Sequence, residues 1–218
     1  MELNVLMIDD HQSIIEGYKA ILAYNSGGYT LNTTAANSCQ EAYTIITTQK
    51  TDFDLVMVDY IMPPFEEENL HSGEDLVPLI RKYFPKAKIM MLTSHYQSLL
   101  LFRLLKDCNP EGLLVKSDFT ADDLIEAFDT VVSGNIYYTC TVAQLKKELE
   151  NTPKVLDYYN RQIILLLAQG VQTKNLPDHL FLSKSAIDKR KALIKEFFGI
   201  EKGSDEDILR EARRLGYI

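Results

Sequence analysis

Five times before Gly134 the chain repeats one unit, an apolar run of strand length followed by a segment with helical spacing. NVLMI, residues 4–8, leads into HQSIIEGYKAIL, where Ile14, Ile15, Tyr18, Ile21 and Leu22 recur at the intervals of one helix face. The unit returns as YTLNTTA with SCQEAYTIITT, DLVMV with GEDLVPLIRKYF, KIMML with SLLLFRLLKDC, and GLLV with TADDLIEAFDTVV. Parallel strands need crossover helices, and a parallel sheet must be covered on both faces. The repeat therefore predicts an α/β domain over residues 1–134 with a doubly wound, five-stranded parallel sheet. The helix SLLLFRLLKDC is apolar enough to supply core and, in addition, a dimer surface.

In such sheets ligands bind beyond the carboxyl ends of the strands. Those positions hold Asp9 and Asp10 after the first strand, Asp59 at the end of the third, Thr93 after the fourth and Lys116 after the fifth. One Asp after a strand is ordinarily a cap or turn residue, but here four strand ends converge. Three carboxylates at one edge repel each other unless a cation joins them. Magnesium suits an open site of this kind, because it takes hard oxygen ligands and keeps several waters. Lys116 then offers a cation, and Thr93 a hydroxyl, to anionic oxygens.

At 218 residues the chain is long for one domain, and 46% hydrophobic with 25% charged residues is the composition of ordinary globular protein. It has no uninterrupted apolar stretch of membrane-spanning length, and MELNVLMIDD lacks the basic flank and cleavage site of a secretory signal. A cytoplasmic protein with no membrane partner is expected. Cys39, Cys108 and Cys140 match neither a disulfide framework nor a zinc pattern. The net charge of −8 is unevenly spread: residues 1–139 hold 9 Lys and Arg against 20 Asp and Glu, and the remainder 14 against 11. An acidic front and a basic rear fit two parts with different partners.

MIDDH, VMVDYIMP, MMLTS and LLVKS, in this order and at these strand ends, resemble the receiver domains of two-component response regulators over about residues 3–134. The resemblance implies a flavodoxin-like sheet of strand order 2-1-3-4-5 and a phosphoacceptor, Asp59, that takes a phosphoryl group from a sensor histidine kinase. It also implies Mg²⁺ held by Asp9, Asp10, Asp59 and the backbone carbonyl of Ile61, with Thr93 and Lys116 as the switch pair. On that reading the chain is no turnover enzyme, beyond Mg²⁺-dependent loss of its own phosphoryl group. The family's usual switch aromatic, three positions before the lysine, is Leu113 here. The stretch from Asp59 to Gly73 is also several residues longer than such receivers have. Its extra PFEEENLH is either a solvated loop or a device that tunes metal affinity, excludes small anionic phosphodonors or contacts a kinase.

Residues 135–155 read as a linker with a short helix, AQLKKELE, followed by Asn-Thr-Pro. Over residues 156–218, RQIILLLAQG, NLPDHLF, SKSAIDKRKALIKEFFG and DEDILREARRLGYI resemble the LuxR-type (NarL/FixJ-like) helix-turn-helix of DNA-binding response regulators. The recognition helix would run from about Ser183 to Phe198, burying Ala186, Ile187, Leu193, Ile194 and Phe197. Lys184, Ser185, Lys189 and Lys191 are the candidate DNA contacts. Ile187-Asp188 stands where the family commonly has Val-Lys, and Pro177 falls in the preceding helix, which it fits if that helix begins near Asn175.

The whole reads as a transcription regulator controlled at Asp59, a homodimer when active. The alternative is a signalling adaptor whose degenerate rear domain binds protein. A phosphatase with an aspartyl-phosphate intermediate would place a second acid two residues after the nucleophile, where Ile61 stands.

Overall fold

The computed structural model describes residues 1–151 and 156–218, with the side chains of 148–151 left out. Thr152 and Pro153, the punctuation expected in the linker, lie outside the described residues. Contacts divide the chain into two compact units, Met1–Tyr96 with Arg103–Gln144 and Gln97–Phe102 with Leu145–Ile218.

The expected alternation is present: β1 (Glu2–Ile8), α1 (Gln12–Leu22), β2 (Thr30–Ala36), α2 (Cys39–Thr48), β3 (Leu55–Asp59), α3 (Gly73–Tyr83), β4 (Lys88–Thr93), α4 (Ser98–Arg103), β5 (Gly112–Val115) and α5 (Ala121–Val132). These elements make up the first unit, except that α4 up to Phe102 is counted with the second. All pairings are parallel, and the sheet order is β2-β1-β3-β4-β5-β6. The sixth strand, β6 (Tyr137–Tyr138), corrects the five-stranded expectation. After α5 the chain turns at Gly134, with φ 89°, and Tyr137 N–H donates to the Glu111 carbonyl. A two-residue strand of tyrosines has too little apolar periodicity to be seen in the sequence.

Strand β3 is buried at every residue because helices cover both of its faces. Met7, Leu55, Met57, Met90, Leu92, Leu114 and Phe128 belong to one continuous core. Helix starts follow local chemistry: Ser72 and Asp75 form a reciprocal capping box at α3, and Thr120 and Asp123 do so at α5. The predicted fourth helix is α-helical only to Arg103, after which Leu104–Cys108 widens into a π turn ending at Asn109, φ 42°. Leu101 and Leu104 are buried, and Leu99 belongs to the core of the second unit. Cys39 and Cys108 are buried thiols, Cys140 is exposed, and all are free.

The linker helix starts earlier than expected, as α6 (Cys140–Asn151). The second unit continues with α7 (Tyr158–Ala168), α8 (Leu176–Leu180), α9 (Lys184–Phe197) and α10 (Asp205–Arg214). Ile163, Ile164, Leu167, Leu176, Ile187, Ile194, Ile208 and Ala212 form its core. Pro177 sits in the first turn of α8, where the missing N–H has no intrahelical partner to lose. Among the described residues no helix is long and apolar enough to cross a membrane.

Candidate functional site

Five side chains expected together meet at the carboxyl edge of the sheet. Asp9 and Asp59 are 3% and 4% exposed, Thr93 is fully buried, and Asp10 is half-buried. The Lys116 ammonium donates to Asp9 Oδ2 at 2.8 Å and lies 3.1 Å from Asp59 Oδ2. Asp59 Oδ1 is buried with no hydrogen-bond partner among the described residues. Burial pushes the Asp59 carboxyl up to about 6, against the pull of Lys116 and with the added push of Asp9. Burial also opposes the charge of Lys116, yet its hydrogen bond to Asp9 and the two carboxylate charges hold its pKa above the ordinary lysine value. Ile61 follows two residues after Asp59 with its side chain half exposed.

Several neighbours of this pocket escaped the sequence reading. His11 Nδ1 lies 2.6 Å from Asp10 Oδ1, and the His11 backbone N–H donates to Asp9 Oδ1 at 2.9 Å. One ligand atom each from Asp9, Asp10 and His11 fall within 4.8 Å of one another, a group able to hold a metal ion. The adjoining Asp-Asp-His was the signal available for it. Thr93 Oγ1 accepts from the His95 N–H at 3.0 Å, and the His95 ring meets Tyr60 edge-on at 5.5 Å. Tyr60 in turn accepts from Arg103, whose guanidinium is paired with Glu74 at 2.7 Å. Leu113, at the place of the usual aromatic, is fully buried in β5. Gly73 is required by proximity, since a Cβ there would stand 1.9 Å from the Asp59 carbonyl oxygen.

The segment inserted after Asp59 is a folded loop. Phe65 and Leu70 exchange backbone hydrogen bonds of 2.7 and 3.1 Å around a 3₁₀ turn, Glu66–Glu68, that Asn69 closes with φ 54°. Phe65 packs edge-on against Tyr43 of α2, and Leu70 is buried. Glu66, Glu67 and Glu68 all face solvent.

In the second unit Ser183 caps α9, accepting from the Ala186 N–H. Ile187 and Ile194 are buried as expected, whereas Leu193 is exposed and Phe198 takes the inward position. Lys184, Ser185 and Lys189 are exposed, in company with Asp188 and Glu196. Lys191 differs from the other candidates: its ammonium is bound to Asp205 at 2.5 Å and to Thr173 Oγ1 at 2.7 Å. It ties α9 to the start of α10. Arg190 is likewise turned inward, onto Asp157 and Asn160.

Strand order, together with acid, hydroxyl and ammonium at successive strand ends, defines a receiver-type doubly wound domain. Residues 5–129 match the response regulator receiver domain family, and the chain belongs to that family. Among curated relatives it is similar to the oxygen regulatory protein NreC of Staphylococcus aureus, 26% identical over 211 residues that span 91% of this chain and 92% of that one. Among solved structures it is similar to RcsB of Salmonella enterica serovar Typhimurium bound to the promoter rprA with the phosphomimetic BeF3−. That match has 20% identity, a TM-score of 0.62, and covers 98% of this chain and 99% of that one. A structure of two RcsB dimers bound to two parallel DNAs matches with 21% identity and a TM-score of 0.64, covering 100% of both chains. The shared fold runs through the rear helices as well as the receiver.

Proposed function

We propose that this response regulator accepts a phosphoryl group on Asp59 from a sensor histidine kinase and, so modified, controls transcription by binding DNA as a homodimer. The observation that carries the chemistry is Asp59 Oδ1, a buried carboxylate oxygen without a hydrogen-bond partner among the described residues, on a side chain paired with Lys116. In the transfer that oxygen bonds to phosphorus while the P–N bond of the kinase's phosphohistidine breaks, its electron pair leaving with the imidazole. Lys116 pairs with an anionic phosphoryl oxygen, and the Thr93 hydroxyl donates to another. Asp9, Asp10, Asp59 and the Ile61 carbonyl are the oxygens that would hold Mg²⁺, and this hard donor set suits it. Bound there, the ion supplies positive charge to the phosphoryl oxygens. Attack by water on phosphorus breaks the P–O bond to Asp59, releasing inorganic phosphate and restoring the carboxylate, so the chain is a phosphoacceptor that resets itself.

On the output side, α9 is the second helix of the motif, the one that lies in the major groove. Lys184, Ser185 and Lys189 are its exposed contacts, while Lys191 is assigned to holding α10. Promoter-bound RcsB and the DNA-bound RcsB dimers support this reading. With a kinase partner and a DNA target, this reading has the protein work in the cytoplasm. A binding selection from random duplexes, run with and without phosphorylation, tests it; absence of enrichment in both states refutes DNA binding. A second reading, a protein-binding adaptor, has in its favour the exposed acids Asp188 and Glu196 on α9. It loses if Lys184→Ala and Lys189→Ala weaken duplex binding in a folded protein.

A further inference from the structure

Phe181, in the turn between α8 and α9, is 93% exposed, more than any other large apolar residue described. Its φ is 52°, and the other described non-glycine residues with positive φ are Asn69 and Asn109. Asparagine tolerates the left-handed region because its short polar side chain bonds locally, but a bulky aromatic there is an outlier. The turn itself is needed. The N–H groups of Phe181 and Leu182 both return to the Pro177 carbonyl, closing α8 just before Ser183 caps α9. Glycine or asparagine would make this turn at lower cost, and the phenyl ring buries almost nothing. Backbone strain kept with no return to the fold points to work done outside it.

Position says what that work is. Lys184 and Ser185, exposed in the first turn of α9, follow within four residues. Recognition helices touch base edges with their N-terminal residues, so a side chain in the preceding turn stands at the rim of the same groove. The major groove has one apolar feature, the thymine C5-methyl, and phenylalanine is among the side chains that pack on it. We infer that Phe181 is a specificity contact that packs on the C5-methyl of a thymine at the edge of the DNA site. The inference rests on the DNA-binding reading.

The test uses the full chain and a duplex selected by it. Each thymine is replaced in turn by uracil, which lacks only the methyl group. At one position per half-site the substitution weakens wild-type binding about fourfold, the worth of one buried methyl-sized group. Phe181→Asn, which keeps the turn, binds the thymine duplex more weakly by a similar factor and no longer distinguishes uracil there. Its thermal midpoint is unchanged or raised, which separates lost contact from lost fold. Phe181→Leu retains most of the thymine preference. A uracil scan flat at every position, or a Phe181→Asn protein that still discriminates, overturns the inference. If Lys184→Ala and Lys189→Ala weaken binding while the scan is flat, the DNA reading stands and this contact alone falls. Failure to select any duplex removes both.

Discussion

Lys116 and Asp59 stand 3.1 Å apart across the ends of β5 and β3, and the lysine opposes the burial that would otherwise neutralise the carboxylate. In metal-free buffer the wild-type Asp59 carboxyl should therefore ionise as pH rises through about 6, as its carbon resonance would report. Removing Lys116 removes the largest influence holding that value down. Lys116→Ala should therefore shift that metal-free midpoint upward and, with Mg²⁺ present, slow the transfer. An unchanged midpoint would show that the pair does not set the charge of Asp59.

The same burial has a stability consequence of definite sign. Asp59 titrates near 6 in the folded chain against an ordinary 3.8, so the fold favours the protonated form. That contribution is complete below about 3.8 and is lost as pH rises through about 6, a swing of ~3 kcal/mol. In metal-free buffer, Asp59→Asn should be more stable than wild type near neutral pH, with the difference shrinking toward pH 4. Urea denaturation of both proteins at several pH values checks it.

Gly73 begins α3 where a Cβ would meet the Asp59 carbonyl oxygen at 1.9 Å. That oxygen is backbone and cannot swing aside, so Gly73→Ala must displace either α3 or the end of β3. The expected cost is ~2–3 kcal/mol of stability. Phosphorylation should fall with it, and a variant that phosphorylates normally would contradict the tight approach.

The pocket was legible because each member follows an apolar run, and a run's end can be read without knowing what lies beside it. Strand β6 was hidden because its two residues pair through the backbone, leaving no side-chain pattern to read. Lys191 was misplaced for a related reason: helical spacing gives a residue's direction, but the acid that captures it, Asp205, belongs to another helix. The same holds for Gly73, whose need for hydrogen at Cα arises from a carbonyl distant in the chain. Pairings set by tertiary contact leave weaker traces than periodicity does.

Lysines on α9 should divide into two kinds. Lys191→Ala breaks the tie to Asp205, whose pKa is lowered chiefly by its hydrogen bonds to Lys191 and Thr173, against the opposing effect of burial. The Lys191 contribution is present above the unfolded Asp value and disappears as pH falls below it. Its loss should cost about 1 kcal/mol near neutral pH, seen as a lower thermal midpoint of the second unit. Lys184→Ala and Lys189→Ala should leave stability unchanged and each reduce the slope of log affinity against log salt by about one.

The acidic loop separates shape from charge. Phe65 joins its two ends and packs on Tyr43, so Phe65→Ala should cost on the order of 1 kcal/mol. Glu66, Glu67 and Glu68 face solvent, and changing all of them to Gln should alter stability by less than about 0.5 kcal/mol. Their effect is electrostatic and acts at a distance, because the loop leaves and rejoins the fold beside Asp59: the Gly73 N–H closes it onto the Tyr60 carbonyl. A small anionic phosphodonor approaching this edge meets their field. The triple Gln variant should accept phosphoryl groups from such a donor about threefold faster at low ionic strength, and the advantage should vanish at high salt. A salt-independent gain would point instead to steric opening of the loop, and no gain at all would leave the glutamates without a part in donor selection.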